Sequence, residues 1–158
     1  GEQTSLTPQQ VRDQWEKRKI ETKEKKNVLG GVPFSMPALT LAFRMGEKAG
    51  GVGFDWNHPQ EVLDKIKEEL GEIEGASAKG NKQELEEEIG DLLFALASFA
   101  RKLDIDPEQA LKGSLRKFKN RFEAMEFAVE KSGRPFADFT LPELEALWQQ
   151  AKKSRKST

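Results

Sequence analysis

The sequence predicts an all-α domain, and three kinds of observation support this fold class. Apolar residues recur at helical spacing along most of the chain, whereas no stretch alternates between apolar and polar residues as a half-buried strand would. Hydroxyl or acidic residues followed by proline mark several helix starts, and glycine and proline separate the helical segments. The 158 residues are enough for one domain with a reasonable core.

The first helix is predicted to follow Thr7 and Pro8, because a hydroxyl cap and a proline at the first helical position favour a helix start. It should run over residues 11–26, and the Gly-Gly-Val-Pro segment at 30–33 breaks it. Its high charge leaves only a narrow apolar seam, which consists of Val11, Trp15 and Ile20. We expect residues 1–35 to form a charged helix and linker, and residues 36–158 to form the main domain.

The second helix is predicted from Met36 to Ala49, with Ser35 as its cap. Its apolar side chains available for packing are Leu39, Ala42, Phe43 and Met45. The run Gly50-Gly51-Val52-Gly53 ends it and leads into a loop at Phe54-Asp55-Trp56. Because this run follows a helix and lacks the G-x-x-x-x-G-K-[ST] pattern, it indicates a flexible turn rather than a phosphate-binding loop.

Four further helices are separated by turn and cap signals. The third is expected over residues 59–76 and the fourth over residues 83–103, with Gly80-Asn81 between them. Asp106-Pro107 repeats the cap-plus-proline start and opens a fifth helix, and Thr140 can cap a sixth. The six predicted helices account for most of the chain.

Two pairs of acidic residues lie on or beside the apolar faces of the third and fourth helices. Each helical residue turns by about 100°, so the third helix has a narrow stripe that contains Glu69 and has Glu72 at its edge. On the fourth helix, Glu88 falls within the stripe and Asp91 borders it. A short connection makes the two helices an antiparallel hairpin, so the four carboxylates can converge. The apolar members are Val62, Ile66 and Ile73 on the third helix, and Leu85, Ile89, Leu92, Leu96 and Phe99 on the fourth.

Convergence of four negative charges near a core is unfavourable unless something compensates them, because an uncompensated buried charge costs several kcal/mol. Magnesium prefers oxygen ligands and is commonly bound alongside waters and substrate phosphates. Carboxylates from only two helices would leave part of its coordination shell open to phosphate oxygens. A solvated acidic face laced with pairs such as Lys65–Glu69 is the alternative, and geometry alone leaves it open.

Composition excludes several classes of function. The chain has no cysteine, so disulfides and thiolate chemistry are excluded, and its single histidine, His58, rules out di-iron bundles that need Glu-x-x-His motifs. The balanced net charge of −1 gives no sign of nucleic-acid binding, and no apolar run approaches a membrane span. With no visible signal peptide, we expect a cytoplasmic protein without nucleic-acid or membrane partners. Residues 1–5 look like a cloning remnant or a cut point, and both a single domain and one domain of a longer protein stay open as interpretations.

The acidic segments Glu68-Glu69-Leu70-Gly71-Glu72 and Glu88-Ile89-Gly90-Asp91 resemble the E-E-x-x-E and E-x-x-D motifs of the MazG nucleoside triphosphate pyrophosphohydrolases. The likeness covers nearly the whole chain and is closest to the C-terminal half of two-domain bacterial MazG. Further similar segments are Trp15-Glu16, Pro37-Ala38-Leu39, residues 52–56, residues 86–94, residues 117–122 and Trp148-Gln149-Gln150. The resemblance implies a MazG-like helical bundle completed by homodimerisation. It also implies Mg²⁺-dependent cleavage of nucleoside triphosphates, NTP or dNTP, to the monophosphate and pyrophosphate.

The resemblance also implies roles for individual residues. Glu69, Glu72, Glu88 and Asp91 would be the metal ligands, for Mg²⁺ or for Mn²⁺ as a substitute. Triphosphate or nucleoside contacts would come from Lys65, Lys117, Arg121 and Trp148, with Glu84 as a weaker candidate. Glu68 and Glu69 are both candidates for the catalytic base, and the choice between them stays open.

Each of the proposed substrate contacts also has a structural interpretation. Lys65 could form a salt bridge with Glu69, Lys117 and Arg121 could be ordinary helix charges, and Trp148 could anchor the last helix. At the level of the whole protein, two alternatives stay open. One is a narrow house-cleaning dNTP pyrophosphatase, and the other is a non-catalytic dimerisation or regulatory module of a two-domain MazG protein.

Overall fold

The computed structural model describes residues 5–154, apart from the side chains of residues 19–26. Ile20 of the predicted seam and the end of the basic tail therefore lie outside the described residues. Within residues 5–154 the chain is helical and contains no strand, which confirms the all-α prediction. The helices are α1 (Pro8–Lys26), α2 (Ala38–Gly51), α3 (Pro59–Lys79), α4 (Lys82–Lys102), α5 (Pro107–Ser132) and α6 (Leu141–Ser154), with a single 3₁₀ turn at Phe136–Asp138.

The chain forms two compact units, residues 1–108 and residues 109–158. The first contains α1 to α4, and the second contains most of α5 together with α6. The predicted boundary between residues 35 and 36 stays a prediction. No helix in the described part of the chain combines the length and the apolarity that crossing a membrane requires.

In the first unit, α3 and α2 both pack against α4. Val62, Ile66 and Ala95 form the buried centre of the α3–α4 contact, and Leu63, Leu92 and Phe99 surround it. The predicted stripe of the third helix is thus confirmed at Val62 and Ile66, which are buried. Val62 and Ile66 lie four residues apart, so one face of α3 supplies the core while the other stays in contact with solvent.

The turn between α3 and α4 explains why the two helices form a tight hairpin. Gly80 has a φ of 69°, the left-handed conformation that costs glycine no steric penalty and that commonly ends a helix. Asn81 follows as the cap of α4, and its side-chain oxygen accepts a hydrogen bond from the Glu84 backbone N–H at 3.1 Å. This two-residue connection brings the acidic segments of α3 and α4 side by side.

The second helix begins two residues later than predicted. Pro37 occupies the cap position of α2, and Ser35 makes no cap, because α2 starts at Ala38. A proline disfavours helical backbone at the residue before it, so Met36 cannot join the helix. Leu41 is the buried side chain of α2, whereas the predicted packing residues are only partly covered.

The predicted apolar stripe of the fourth helix was wrong at two positions. Ile89 and Leu96 are 44% and 46% exposed, and Leu93, which lies between them on the same face, is 49% exposed. The buried side of α4 carries small residues instead, because it faces two helices at once and small side chains allow close approach: Ala95, Ala97 and Ser98. We call the half-exposed face formed by Ile89, Leu93 and Leu96 the outer stripe of α4.

The second unit has its own small core. Met125, Val129 and Ala151 are buried, and the Trp148 ring packs against Phe118 with centroids 5.3 Å apart. Thr140 caps α6 as predicted: its hydroxyl accepts from the Glu143 backbone N–H, and the Glu143 carboxylate accepts from the Thr140 backbone N–H. The Arg134 guanidinium, 2.7 Å from Glu143, helps to lower the pKa of that carboxyl to about 2.

Candidate active site

Helices α3 and α4 bring three acidic side chains into one cluster. One carboxylate oxygen from each of Glu69, Glu88 and Asp91 lies within 4.8 Å of the other two. Exposure increases across the cluster, since Glu69 is 4% exposed, Glu88 is half-buried and Asp91 is exposed. We call these three residues the acidic cluster. Its graded burial gives a group of oxygens that is sheltered on one side and accessible on the other.

Glu72 reaches the same cluster from the edge of α3, although its side chain is exposed. Hydrogen bonding to Glu72, and then to Glu69, raises the pKa of Glu88 to about 7, with burial adding to the effect. A proton shared between neighbouring carboxyl groups is favoured because it removes the repulsion between like charges. Glu72 therefore interacts with Glu88, which belongs to the acidic cluster with Glu69 and Asp91.

Two oxygens of the cluster lack any partner within the described residues. Glu69 Oε2 and Glu88 Oε2 are both buried and accept no hydrogen bond. A buried acceptor without a partner carries a desolvation penalty, and a charged one carries a larger penalty. An all-oxygen set of carboxylates suits a hard divalent cation such as Mg²⁺, Mn²⁺ or Ca²⁺. The residues present thus fit the metal that the motifs imply.

Lys65 places a positive charge beside the cluster. Its Nζ lies 3.2 Å from Glu69 Oε1 and 3.3 Å from Glu68 Oε1, and these contacts, that with Glu69 first, raise the pKa of Lys65. The salt bridge considered from sequence is therefore present. It occupies only one oxygen of Glu69 and leaves Oε2 without a hydrogen-bond partner among the described residues. Glu68 keeps a largely exposed carboxylate, with 59% of its side chain accessible.

The remaining predicted site residues lie outside the acidic cluster. Glu84 is half-buried in the first turn of α4 and is not one of the three clustered acids. In the second unit, Lys117 is exposed, while Arg121 is partly buried and its Nε has no hydrogen-bond partner within the described residues. Trp148 packs against Phe118, which agrees with the anchoring interpretation of its indole. Substrate contacts by these residues stay predictions.

Sequence reasoning assigned no role to a charged group at the other end of α4. Arg101 donates two hydrogen bonds to the Asp55 carboxylate, at 2.7 and 3.0 Å, and Lys102 donates a third at 3.4 Å. The guanidinium beside it holds the pKa of Asp55 well below its usual range. The available signal was one acid between two aromatic residues, directly after a glycine-rich turn.

Two glycines of α2 make room for this ion pair. A Cβ at Gly46 would lie 2.7 Å from Arg101 Nε, and a Cβ at Gly50 would lie 3.0 Å from Asp55 Oδ2. Both distances are below ordinary van der Waals contact, so larger residues would displace the paired groups. Positions 46 and 50 are one helical turn apart, which places both glycines on the face of α2 that meets the pair.

Comparison with known proteins shows which family this chain is similar to. The model of the MazG nucleotide pyrophosphohydrolase domain matches residues 57–125, a segment that contains Glu72 and the three residues of the acidic cluster. The nucleoside triphosphate pyrophosphohydrolase/pyrophosphatase MazG of Thermotoga maritima is 43% identical over 141 residues, which cover 88% of this chain and 54% of that protein. The nucleoside triphosphate pyrophosphohydrolase of Escherichia coli K12 is 37% identical over 149 residues, which cover 91% of this chain and 57% of that protein. The chain thus spans about half the length of these relatives, and it belongs to the MazG family.

Proposed function

We propose that this protein hydrolyses nucleoside triphosphates, NTP or dNTP, to the nucleoside monophosphate and pyrophosphate, and that it does so with bound Mg²⁺. The observation that carries the proposal is the pair of buried carboxylate oxygens, on Glu69 and Glu88, that have no partner in the described chain. The names of the two relatives describe the same reaction class. Mn²⁺ is a suitable substitute because it accepts the same oxygen ligands.

The acidic cluster, joined by Glu72, would hold the metal. When bound there, Mg²⁺ supplies a Lewis acid for phosphate oxygens and lowers the pKa of a coordinated water. Asp91 and Glu72 are the exposed members, so they would face the side from which a triphosphate approaches. Glu69 is buried and its carboxylate is held by Lys65, so it would keep a fixed position in the cluster while substrate binds and leaves.

The cations of the chain would bind the polyphosphate. Lys65 is still 38% exposed while it bridges Glu68 and Glu69, so its ammonium group can also contact a phosphate oxygen. Lys117 and Arg121 are four residues apart on α5 and would offer a point charge and a planar fork for the departing pyrophosphate. Trp148 and Glu84 complete the proposed substrate contacts.

Of the two candidate bases, our proposal assigns the role to Glu68. Glu69 is buried and has one oxygen in the salt bridge with Lys65, while its other oxygen is buried without a partner among the described residues. Glu68 has an exposed carboxylate beside the same lysine, so it can accept a proton from the attacking water and pass it to solvent. Replacing Glu68 by glutamine should lower kcat while leaving metal affinity intact. An unchanged kcat would remove Glu68 from this role.

The proposal includes a homodimer. The outer stripe of α4 exposes nearly half of each of three large apolar side chains in a continuous row, which is a common feature of association surfaces. A second copy would cover it through the same stripe, as two-fold dimers do. Light scattering of the wild-type chain should give the dimer mass, and Leu93→Glu should give the monomer mass. A wild-type monomer at tens of micromolar would contradict this part of the proposal.

Product analysis is the test of the proposed reaction. ATP and a dNTP are incubated with the protein in Mg²⁺ and, separately, in EDTA, and the products are separated. The expected products are monophosphate and pyrophosphate, formed only with the metal. Diphosphate and phosphate would indicate a different reaction.

The outer stripe alone would also suit the non-catalytic dimerisation module. This alternative predicts no turnover and no heat of binding when Mg²⁺ and a non-hydrolysable triphosphate are titrated together. Binding of either, with intact dimerisation, would favour the enzyme. The buried oxygens of Glu69 and Glu88 that lack partners among the described residues support the enzyme, because a dimerisation module has no use for them.

A further inference from the structure

The ion pair between Asp55 and Arg101 lies at the opposite end of the α3–α4 hairpin from the Gly80-Asn81 turn. The two side chains are 25% and 12% exposed, and Lys102 adds a longer contact of 3.4 Å to the same carboxylate. Asp55 belongs to the loop that precedes α3, whereas Arg101 belongs to the last turn of α4. The hairpin is therefore held by the turn at one end and by the ion pair at the other.

A short, hydrogen-bonded path connects Asp55 to the first turn of α3. The Asp55 carboxylate accepts from the Trp56 backbone N–H at 2.8 Å. The Asn57 backbone N–H donates to the Glu61 carboxylate at 3.4 Å. Only three residues, 56–58, separate Asp55 from Pro59, where α3 begins. A displacement of Asp55 is therefore passed to the start of α3, because no long loop lies between them to absorb it.

A cavity of about 500 Å³ lies beside the ion pair in the first unit. Residues of α2, of the second half of α4 and of the loop before α3 line it, and both Asp55 and Arg101 are among them. Atoms that line a cavity make no dispersion contacts on that side, so apolar packing contributes less there than in a filled core. The ion pair is therefore a large part of what holds the loop to α4.

The acidic cluster lies equally far from the ion pair along both helices. Glu69 follows Pro59 by ten residues and Arg101 follows Asp91 by ten, which is about 15 Å along each helix axis. The buried centre of the α3–α4 contact lies within these two segments. Because packed interiors are nearly incompressible and transmit displacement, a shift of α3 at its first turn moves Glu69 past Asp91.

We propose that Asp55 and Arg101 are positioning residues for the metal site, and that their ion pair sets the axial position of Glu69 on α3 relative to Asp91 on α4. The positioning role rests on the proposed function, because that function identifies the acidic cluster as the metal site. Mg²⁺ requires near-ideal octahedral geometry with oxygens at about 2.1 Å. A relative shift of the two helices by about 1 Å would therefore weaken metal binding.

Metal affinity can be measured without turnover, by electron paramagnetic resonance of Mn²⁺ titrated into the protein with no nucleotide present. Asp55→Asn and Arg101→Met should each raise the Kd for Mn²⁺ about tenfold, the lower end of the loss for groups that orient metal ligands. Asp55→Glu should recover part of the affinity, because its carboxylate can still pair with Arg101. A Kd within twofold of the wild type for both Asp55→Asn and Arg101→Met would show that the apolar core alone positions the helices, and would overturn the proposal.

The Arg134–Glu143 pair of the second unit provides the matched control, because its guanidinium also lies 2.7 Å from a carboxylate. Arg134→Met should lower the free energy of unfolding and leave the Kd for Mn²⁺ unchanged. An equal rise of the Kd in Arg134→Met and Arg101→Met would mean that lost stability, rather than lost positioning, weakens metal binding, and would contradict the proposal.

Two glycines next to the acids report on the cluster directly. Gly71 precedes Glu72 and Gly90 precedes Asp91, and glycine amides are readily distinguished in a ¹⁵N–¹H spectrum. In the metal-free protein, Asp55→Asn should shift both amide signals, although the substitution lies about 15 Å away along the helices. Arg134→Met should shift neither. Unchanged Gly71 and Gly90 signals in Asp55→Asn would remove the positioning role even if the metal affinity fell.

The positioning role and the proposed function fail in different ways. A Kd for Mn²⁺ that depends on Asp55, without any hydrolysis in Mg²⁺, would refute the proposed function and keep the positioning role. Hydrolysis, with a Kd and glycine signals that do not respond to Asp55→Asn, would do the reverse. If the wild-type protein binds no Mn²⁺ without nucleotide, the Gly71 and Gly90 signals decide.

Discussion

Helix α4 carries charged groups near both of its ends, and the two sets differ in how they are compensated. In its N-terminal half, Glu88 and Asp91 meet Glu69 of α3, and the positive charge beside them is Lys65, which pairs with only one oxygen of Glu69. In its C-terminal half, Arg101 and Lys102 meet Asp55, and both oxygens of that carboxylate accept hydrogen bonds from Arg101.

The difference shows what each end is suited for. At the Asp55 end, both oxygens of the carboxylate accept hydrogen bonds from a cation of the chain, so the group can fix a loop without any ligand. At the acidic end, like charges converge, and two buried oxygens have no partner in the part of the chain that the structure describes, which favours binding of a cation from solvent. On the same helix, the charge of Asp55 is neutralised within the chain and serves to fix a loop. The charges of the acidic cluster are not fully neutralised within the chain, so the cluster is the candidate ligand site.

The largest expected effect comes from removing a member of the acidic cluster. Glu69→Ala and Asp91→Ala should remain folded by circular dichroism and lose pyrophosphate release by at least about 100-fold, because groups that merely orient metal ligands already cost 10- to 100-fold when removed. Glu74→Ala, an exposed acid on the same helix as Glu69, is the control and should keep its activity. Near wild-type turnover of either cluster variant would show that the cluster is not the metal site.

Breaking the ion pair between Asp55 and Arg101 should also lower the stability of the protein. Arg101→Met should lower the free energy of unfolding by about 2 kcal/mol, between the values for exposed and fully buried ion pairs. The Arg44–Glu47 pair is a matched control, because it is as short, at 2.6 Å, but half-exposed on both sides. Arg44→Met should cost less than about 1 kcal/mol in the same urea titration. Equal costs would mean that burial does not distinguish the pairs.

Glycine substitutions probe how tightly α2 packs against the Asp55–Arg101 ion pair. Gly113→Ala, on α5 with open space around the added methyl group, should stabilise the protein by roughly 0.5–1 kcal/mol through helix propensity. Gly46→Ala gains the same propensity but must move the Arg101 guanidinium, so it should be neutral or destabilising by roughly 1 kcal/mol. In an Arg101→Ala background, Gly46→Ala should become stabilising. A stabilising Gly46→Ala in the wild type would contradict the close approach.

The smallest expected effect concerns the stability of the protein when the acidic cluster holds no metal. The pKa of Glu88 is raised from 4.5 to about 7, so the folded state holds this proton more tightly than the unfolded state does. Stability should then fall as pH rises from about 4.5 to about 7, because ionisation in the folded state adds repulsion. In EDTA, Glu88→Gln should flatten this fall and be more stable than the wild type at pH 8. A parallel pH dependence of the two proteins would remove Glu88 as the cause.

Much of the first unit could be predicted from local sequence. The starts of α1, α3 and α5 follow from prolines at their first positions, and the α3–α4 turn follows from Gly80-Asn81, because caps and turns depend on neighbouring residues alone. Glu69 and Glu88 were placed on buried faces by helical periodicity. The same periodicity misplaced Ile89 and Leu96, because it finds an apolar face but not which neighbouring helix covers it.

The sequence by itself determined the helical class, the hairpin and the convergence of the acids, since each depends on spacing within one helix or across one short turn. Tertiary structure decided the rest. Asp55 and Arg101 are 46 residues apart, and their pairing depends on how α2 packs against α4 at Gly46 and Gly50. The cavity and the exposed outer stripe likewise result from which faces of α4 the other helices cover, and no local pattern encodes that choice.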